Sequence, residues 1–121
     1  MAVTREYIEY VVDQLRDLGS VRSKRMFGGA GLYHNGVFFA LVADDVLYFK
    51  VNDADRQVYI DAGSEPFKPF GSYAMGYYEV PADVLEDPRE LSIWAGRALA
   101  AAMMSNTTGK RKRSPGTGKK A

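Results

Sequence analysis

Three cations, Arg22, Lys24 and Arg25, stand just ahead of a glycine-rich run, Gly28-Gly29-Ala30-Gly31. Cationic side chains beside open backbone amides suit an anion, so this stretch is the first place to look for chemistry. A phosphate loop, however, joins a strand to a helix whose N-terminus faces the phosphate. It also carries a set glycine spacing or a following Lys-Ser/Thr pair. Here the glycines join strand to strand and no such lysine follows, which favours a tight bend or bulge. Arg22, Lys24, Arg25, Gly28, Gly29 and Gly31 stand as an anion or interaction site. A small-molecule or phosphoryl-binding enzyme built on them is the reactive alternative.

Elsewhere the reactive residue types lack partners. His34 is the sole histidine, no Gly-x-Ser-x-Gly accompanies it, and its place before a turn marks a solvent-facing strand residue. One histidine and no cysteine make a zinc site improbable and exclude disulfides and thiol nucleophiles. Asp44, Asp45, Asp53 and Asp55 are oxygen donors by type. Asn52-Asp53-Ala54-Asp55 nevertheless lacks the glycine and terminal glutamate of a calcium loop, so turns and caps are their expected work. No catalytic residue, cofactor or metal site is expected. Lys110, Arg111, Lys112, Arg113, Lys119 and Lys120 form a basic cluster that could hold nucleic acid weakly and without sequence preference, act as a localisation signal, or simply solubilise the chain.

The elements that must position these groups follow from periodicity. Thr4 can cap a helix in which Ile8, Val11, Val12, Leu15 and Leu18 recur at helical spacing, and Gly19 can stop it. Strands are expected over 21–27, from Leu32 to His34, over 37–43 and over 46–51, with turns at Asn35-Gly36 and Asp44-Asp45. In the last of these, alternation sends Leu47, Phe49 and Val51 to a core. It leaves Val46, Tyr48 and Lys50 on a half-wet face of the kind used in subunit contacts. The middle strand is apolar on both faces, which calls for cover on both and suggests a homodimer through the sheet or its edge.

A short helix is expected from Asn52 or Asp53 to about Ala62, with Val58 and Tyr59 as its thin apolar stripe. Pro66-Phe67-Lys68-Pro69-Phe70 belongs at a sheet edge, since neither proline can donate, and 74–80 reads as a further strand. Asp87, Pro88 and Glu90 then open a helix that buries Leu91, Trp94, Ala95, Ala98, Ala102 and Met103. The order implies an α+β domain of two layers: an antiparallel sheet, meander plus further strands, with N- and C-terminal helices packed on it.

Length and charge agree. The chain of 121 residues suits one domain over 1–104 followed by a disordered basic tail over 105–121. Residues 1–104 hold ten Lys+Arg against fifteen Asp+Glu, while the tail holds six cations and no acid. No apolar run approaches the length of a bilayer span, and Arg5 and Glu6 interrupt any signal region, so a cytoplasmic protein away from membranes is expected.

Arg25-Met26-Phe27-Gly28-Gly29-Ala30-Gly31-Leu32-Tyr33 resembles the signature of the TfoX N-terminal-domain family, proteins related to the bacterial competence regulator TfoX (Sxy). The likeness continues through Asn35-Gly36, Phe39-Ala40-Leu41-Val42, Asp45, Leu47-Tyr48-Phe49-Lys50, Gly63, Pro66-Phe67, Met75, Tyr77-Tyr78, Val80-Pro81, Leu85 and Trp94. It implies an α+β fold and a regulatory, non-enzymatic protein of the bacterial cytoplasm that acts through a protein partner. In TfoX itself the role is competence gene expression alongside the cyclic-AMP receptor protein. TfoX carries a second, C-terminal domain, whereas here the short basic tail occupies its place. The family supplies no catalytic residues to carry over.

Overall fold

The computed structural model describes residues 3–26, 28–68 and 76–113, of which 105–113 are described as backbone only. It opens with helix α1, Arg5–Gln14. Thr4 caps it as expected, its hydroxyl oxygen accepting from the Tyr7 amide at 3.1 Å. Ile8, Val11 and Leu15 are buried, and the chain leaves through Gly19 at φ 78°, a left-handed residue that releases it toward the sheet.

Five strands follow: β1 Val21–Met26, β2 Gly29–His34, β3 Val37–Ala43, β4 Val46–Lys50 and β5 Tyr77–Glu79. Every pairing is antiparallel and the spatial order equals the chain order. Two hairpin turns have both central residues at positive φ, Asn35 and Gly36 at 50° and 83°, Asp44 and Asp45 at 57° and 56°. That geometry matches the right-handed twist of the flanking strands, and aspartate is among the few side chains that tolerate it. Asp45 has a second use. Its carboxylate accepts from the Thr4 amide at 2.9 Å and the Thr4 hydroxyl at 3.3 Å, tying the start of α1 to the β3–β4 turn.

The β2–β3 register jumps: Leu32 pairs with Ala40 but Tyr33 pairs with Phe38, so Phe39 is the extra residue of a bulge. Phe39 and Ala40 both join the buried core as a result, while Phe38 and Leu41 fall on the opposite face. The core lies on one side of the sheet only. Ala30, Leu32, Phe39, Ala40, Val42, Leu47, Phe49 and Val51 meet Val11 of α1 and Leu15 just after it there. The same cluster takes in Tyr59 of α2 (Arg56–Asp61), Val84 of α3 (Ala82–Leu85) and Leu91, Ala95, Ala98 and Ala102 of α4 (Pro88–Arg113). Small residues on α4 let it lie close over β3 and β4. Burying Leu15, Leu32, Leu47, Leu91, Phe39 and Phe49 contributes about 1.5–3 kcal/mol each. Asp87 opens α4 as its sequence suggests, accepting from the amides of Arg89 and Glu90 at 3.1 and 3.3 Å.

Several expectations need correction. Gly29, Ala30 and Gly31 are not a bend but the first half of β2, and only Gly28, at φ 79°, is a turn residue. Val58 and Met103 are exposed, so the apolar stripe of α2 reduces to Tyr59, wedged edge-on against Trp94 at 4.8 Å. His34 does not face solvent freely: its Nδ1 donates to the Gly19 carbonyl at 2.8 Å, and the Asn35 amide donates to Nε2 at 3.3 Å. Helix α3 had no signal beyond Pro81. The backbone of α4 runs on through residues 105–113. Alanines followed by Lys and Arg are good helix formers, and cations near a C-terminus oppose the helix dipole. Phe27, Pro69, Phe70, Ala74 and residues 114–121, with Lys119 and Lys120, lie outside the described residues.

Candidate functional site

The sheet separates the cations that the sequence holds together. Arg22 pairs with Tyr33 and Lys24 with Gly31, on the face away from the helices. Arg25 pairs with Ala30 on the helix side, where its guanidinium donates to the Val3 carbonyl at 3.2 Å. The three therefore do not converge on one anion.

The glycines are explained by packing. A Cβ on Gly29 would stand 2.4 Å from the Val42 carbonyl oxygen, so only glycine lets β2 approach β3 there. A Cβ on Gly31 would stand 2.9 Å from both the Met26 Cε and the Phe38 Cε1, whose side chains fill the space the glycine leaves. Neither arrangement presents a row of amides to a phosphate.

What the outer face does assemble is a set of aromatic rings. Tyr33 stacks on Phe38 at 5.2 Å, Phe38 lies 5.9 Å from Tyr77, and the Lys50 ammonium sits 5.3 Å from the centre of the Tyr77 ring. One strand over, Tyr48 packs on Phe67 at 4.9 Å. Phe67 is held there because its amide donates to the Tyr77 carbonyl at 2.8 Å, which places the Pro66–Phe67 segment on the β5 edge. Tyr33, Phe38, Tyr48 and Phe67 are half-buried, and none belongs to the helix-side core. Burial pushes the Tyr77 phenol up to about 12, with the Tyr33 phenol adding to it, and burial likewise raises Tyr48. These hydroxyls stay protonated at neutral pH.

Alternation on β4 announces Tyr48 and Lys50 in the sequence. The partnership of Tyr33, Phe38 and Tyr77 does not show there, because the Phe39 bulge shifts which ring of β3 faces outward. Apart from tyrosines, no polar side chain is buried among the described residues. Nor do those residues hold three His, Asp or Glu grouped to take a metal ion. A concavity of about 420 Å³ beside Ser64, Glu79 and Asp83 is open and carries two exposed carboxylates. No described helix is long and apolar enough to cross a membrane.

The TfoX N-terminal domain model matches residues 13–102, a span that begins in α1 and ends in α4. The chain belongs to the TfoX N-terminal domain family. Membership accounts for the Arg25–Tyr33 signature in structural terms: it encodes a hairpin whose two inner glycines admit a neighbouring carbonyl and two side chains. The family suggests a regulatory role. No curated protein matches the chain.

Proposed function

We propose that this TfoX N-terminal domain is a regulatory protein of the bacterial cytoplasm that works by protein contact, without chemistry of its own, and that a second copy docks on the outer face of its sheet. The observation that carries the reading is the half-buried aromatic set, Tyr33, Phe38, Tyr48 and Phe67, on the face the helices leave alone. Aromatic rings with a polar tip suit surfaces that are wet in one state and covered in another. A two-fold pair would bury one patch against the same patch, which needs no second surface.

Sedimentation equilibrium across a concentration series tests it. The expected result is a mass rising to twice that of the chain and falling back in Tyr48→Glu, whose partly exposed position lets the fold survive. A strictly monomeric mass at the highest concentration overturns the dimer. Turnover in a hydrolase and phosphotransferase screen, abolished by Arg22→Ala, would overturn the non-enzymatic reading.

A second reading is favoured by the continuation of α4 to Arg113, which gathers Lys110, Arg111, Lys112 and Arg113 in one helical turn. In that reading the basic end lends weak, sequence-indifferent affinity for nucleic acid, opposed by the acidic body of the domain.

A further inference from the structure

The sheet has two edges and they are treated differently. On β5 the edge is closed: the Glu79 amide donates to the Glu65 carbonyl at 3.0 Å, and Phe67 bonds to Tyr77 as described. On β1 no described strand follows, so the outward N–H and C=O groups of that strand form an open template. The side chains along it are uniform in sign. Arg22, Ser23, Lys24 and Arg25 are all exposed, and the strand has no acid. Three of the ten cations in residues 1–104 thus occupy four consecutive positions of a domain with fifteen acids.

Three of the domain's other cations are neutralised internally, Arg16 by Asp13, Arg56 by Asp53 and Arg97 by Asp55. Arg22 and Lys24 have no ion pair or side-chain hydrogen bond among the described residues. They sit two apart on one face, with Arg25 on the other, donating to the Val3 carbonyl.

A second copy is the wrong occupant for this edge. Antiparallel β1–β1 pairing would set cations against cations, and like charges across a ladder destabilise it. The complementary occupant is an extended acidic segment. Its carboxylates two residues apart would lie beside Arg22 and Lys24 while its backbone completes the β1 ladder. We propose that the free edge of β1 receives an acidic extended segment of a partner protein as a sixth strand. This rests on the reading of the domain as a protein-contact module, but uses the backbone edge of β1, next to the aromatic face on which Arg22 and Lys24 also lie.

The test is an NMR titration of the isotope-labelled full chain with the peptide Thr-Glu-Val-Glu-Val-Glu-Thr, capped at both ends. The expected result is a saturable shift of the amides of Val21–Met26, with slowed hydrogen exchange there. The affinity should fall on the order of tenfold or more in the Arg22→Glu, Lys24→Glu double variant. The same peptide N-methylated at each internal amide should not bind, because it cannot pair with the strand. That arm uses the unaltered chain, so it holds even if the double variant folds poorly.

No saturable shift at β1 overturns the proposal, as does equal binding of the N-methylated peptide, which would mean side-chain attraction without strand addition. Duplex DNA shifting the same amides at the same concentrations would assign the edge to phosphate instead. Sedimentation without peptide reports on the aromatic face separately. A chain that dimerises yet ignores the peptide refutes this inference alone.

Discussion

Replacing Gly29 by alanine asks what the glycine run is for. The added Cβ would meet the Val42 carbonyl oxygen at 2.4 Å, whereas an ordinary C···O contact is about 3.3 Å or more, so β2 and β3 must part locally by close to ~1 Å. Overpacking of this kind costs about 1–3 kcal/mol. A weakened ladder hydrogen bond adds about 1 kcal/mol. Against these stands about 0.4–1 kcal/mol gained because alanine restricts the unfolded chain. The net is a loss of about 1–3.5 kcal/mol. At about 4–8 °C per kcal/mol for a domain of this size, the midpoint drops by roughly 5–25 °C.

Gly31→Ala is the internal control. Its Cβ meets the ends of Met26 and Phe38, which can rotate away, so its cost should stay within about 1 kcal/mol. Thermal melts followed by circular dichroism, with urea titration alongside, measure both. The reasoning fails if Gly29→Ala melts within a degree or two of the parent, or if Gly31→Ala is the worse of the two. An anion-binding loop would behave otherwise, keeping its stability and losing only its ligand.

Asp87→Ala removes the acceptor for the Arg89 and Glu90 amides and should cost about 1 kcal/mol in urea unfolding; Asp87→Asn should restore most of it. Tyr77, Tyr48, Tyr7 and Tyr59 all have raised pKa values from burial, so the folded state keeps protons that the unfolded state loses. Their contribution to stability is therefore complete below about 10 and is lost as pH climbs through the folded values, near 12 for Tyr77. Tyrosinate absorbance and circular dichroism should move together in that window and be flat from pH 7 to about 9. Truncation after Asn106 should leave the melting midpoint nearly unchanged, since Ala102 is the last buried residue of α4 among those whose side chains are described, and should remove any binding to duplex DNA. For the full chain the log–log salt slope should lie between zero and about −5, the limit for six neutralised phosphates.

How far the fold could be read beforehand varies with the kind of signal. Capping and turn residues act within a few positions of themselves, so Thr4, Gly19, Asn35-Gly36 and Asp87 announce their roles directly. Alternation on β4 likewise sorts Leu47, Phe49 and Val51 from Tyr48 and Lys50. What escaped depends on neighbours that sequence spacing does not reveal. Nothing local marks Phe39 as a bulge, and without it Phe38 and Tyr33 cannot be placed on one face. Gly29 and Gly31 read as a bend or bulge between strands, whereas their function is to be small at two crossings set by β1 and β3. Arg25 looks like the companion of Lys24, yet consecutive residues on a strand point to opposite faces, and Val3 claims it.

The coincidence of chain order and sheet order bears on how the molecule is made. The first four strands are joined by two-residue turns, so their ladders can zip from neighbouring segments with little loop entropy to overcome, a topology that folds fast. Yet α4, which seals β3 and β4, is synthesised after every strand. On the ribosome the meander must therefore wait with the part of its inner face that α4 covers, over β3 and β4, bare while α4 is translated. During that interval the cationic β1 edge repels other copies of the same nascent sheet, guarding the chain against aggregation before it has a core.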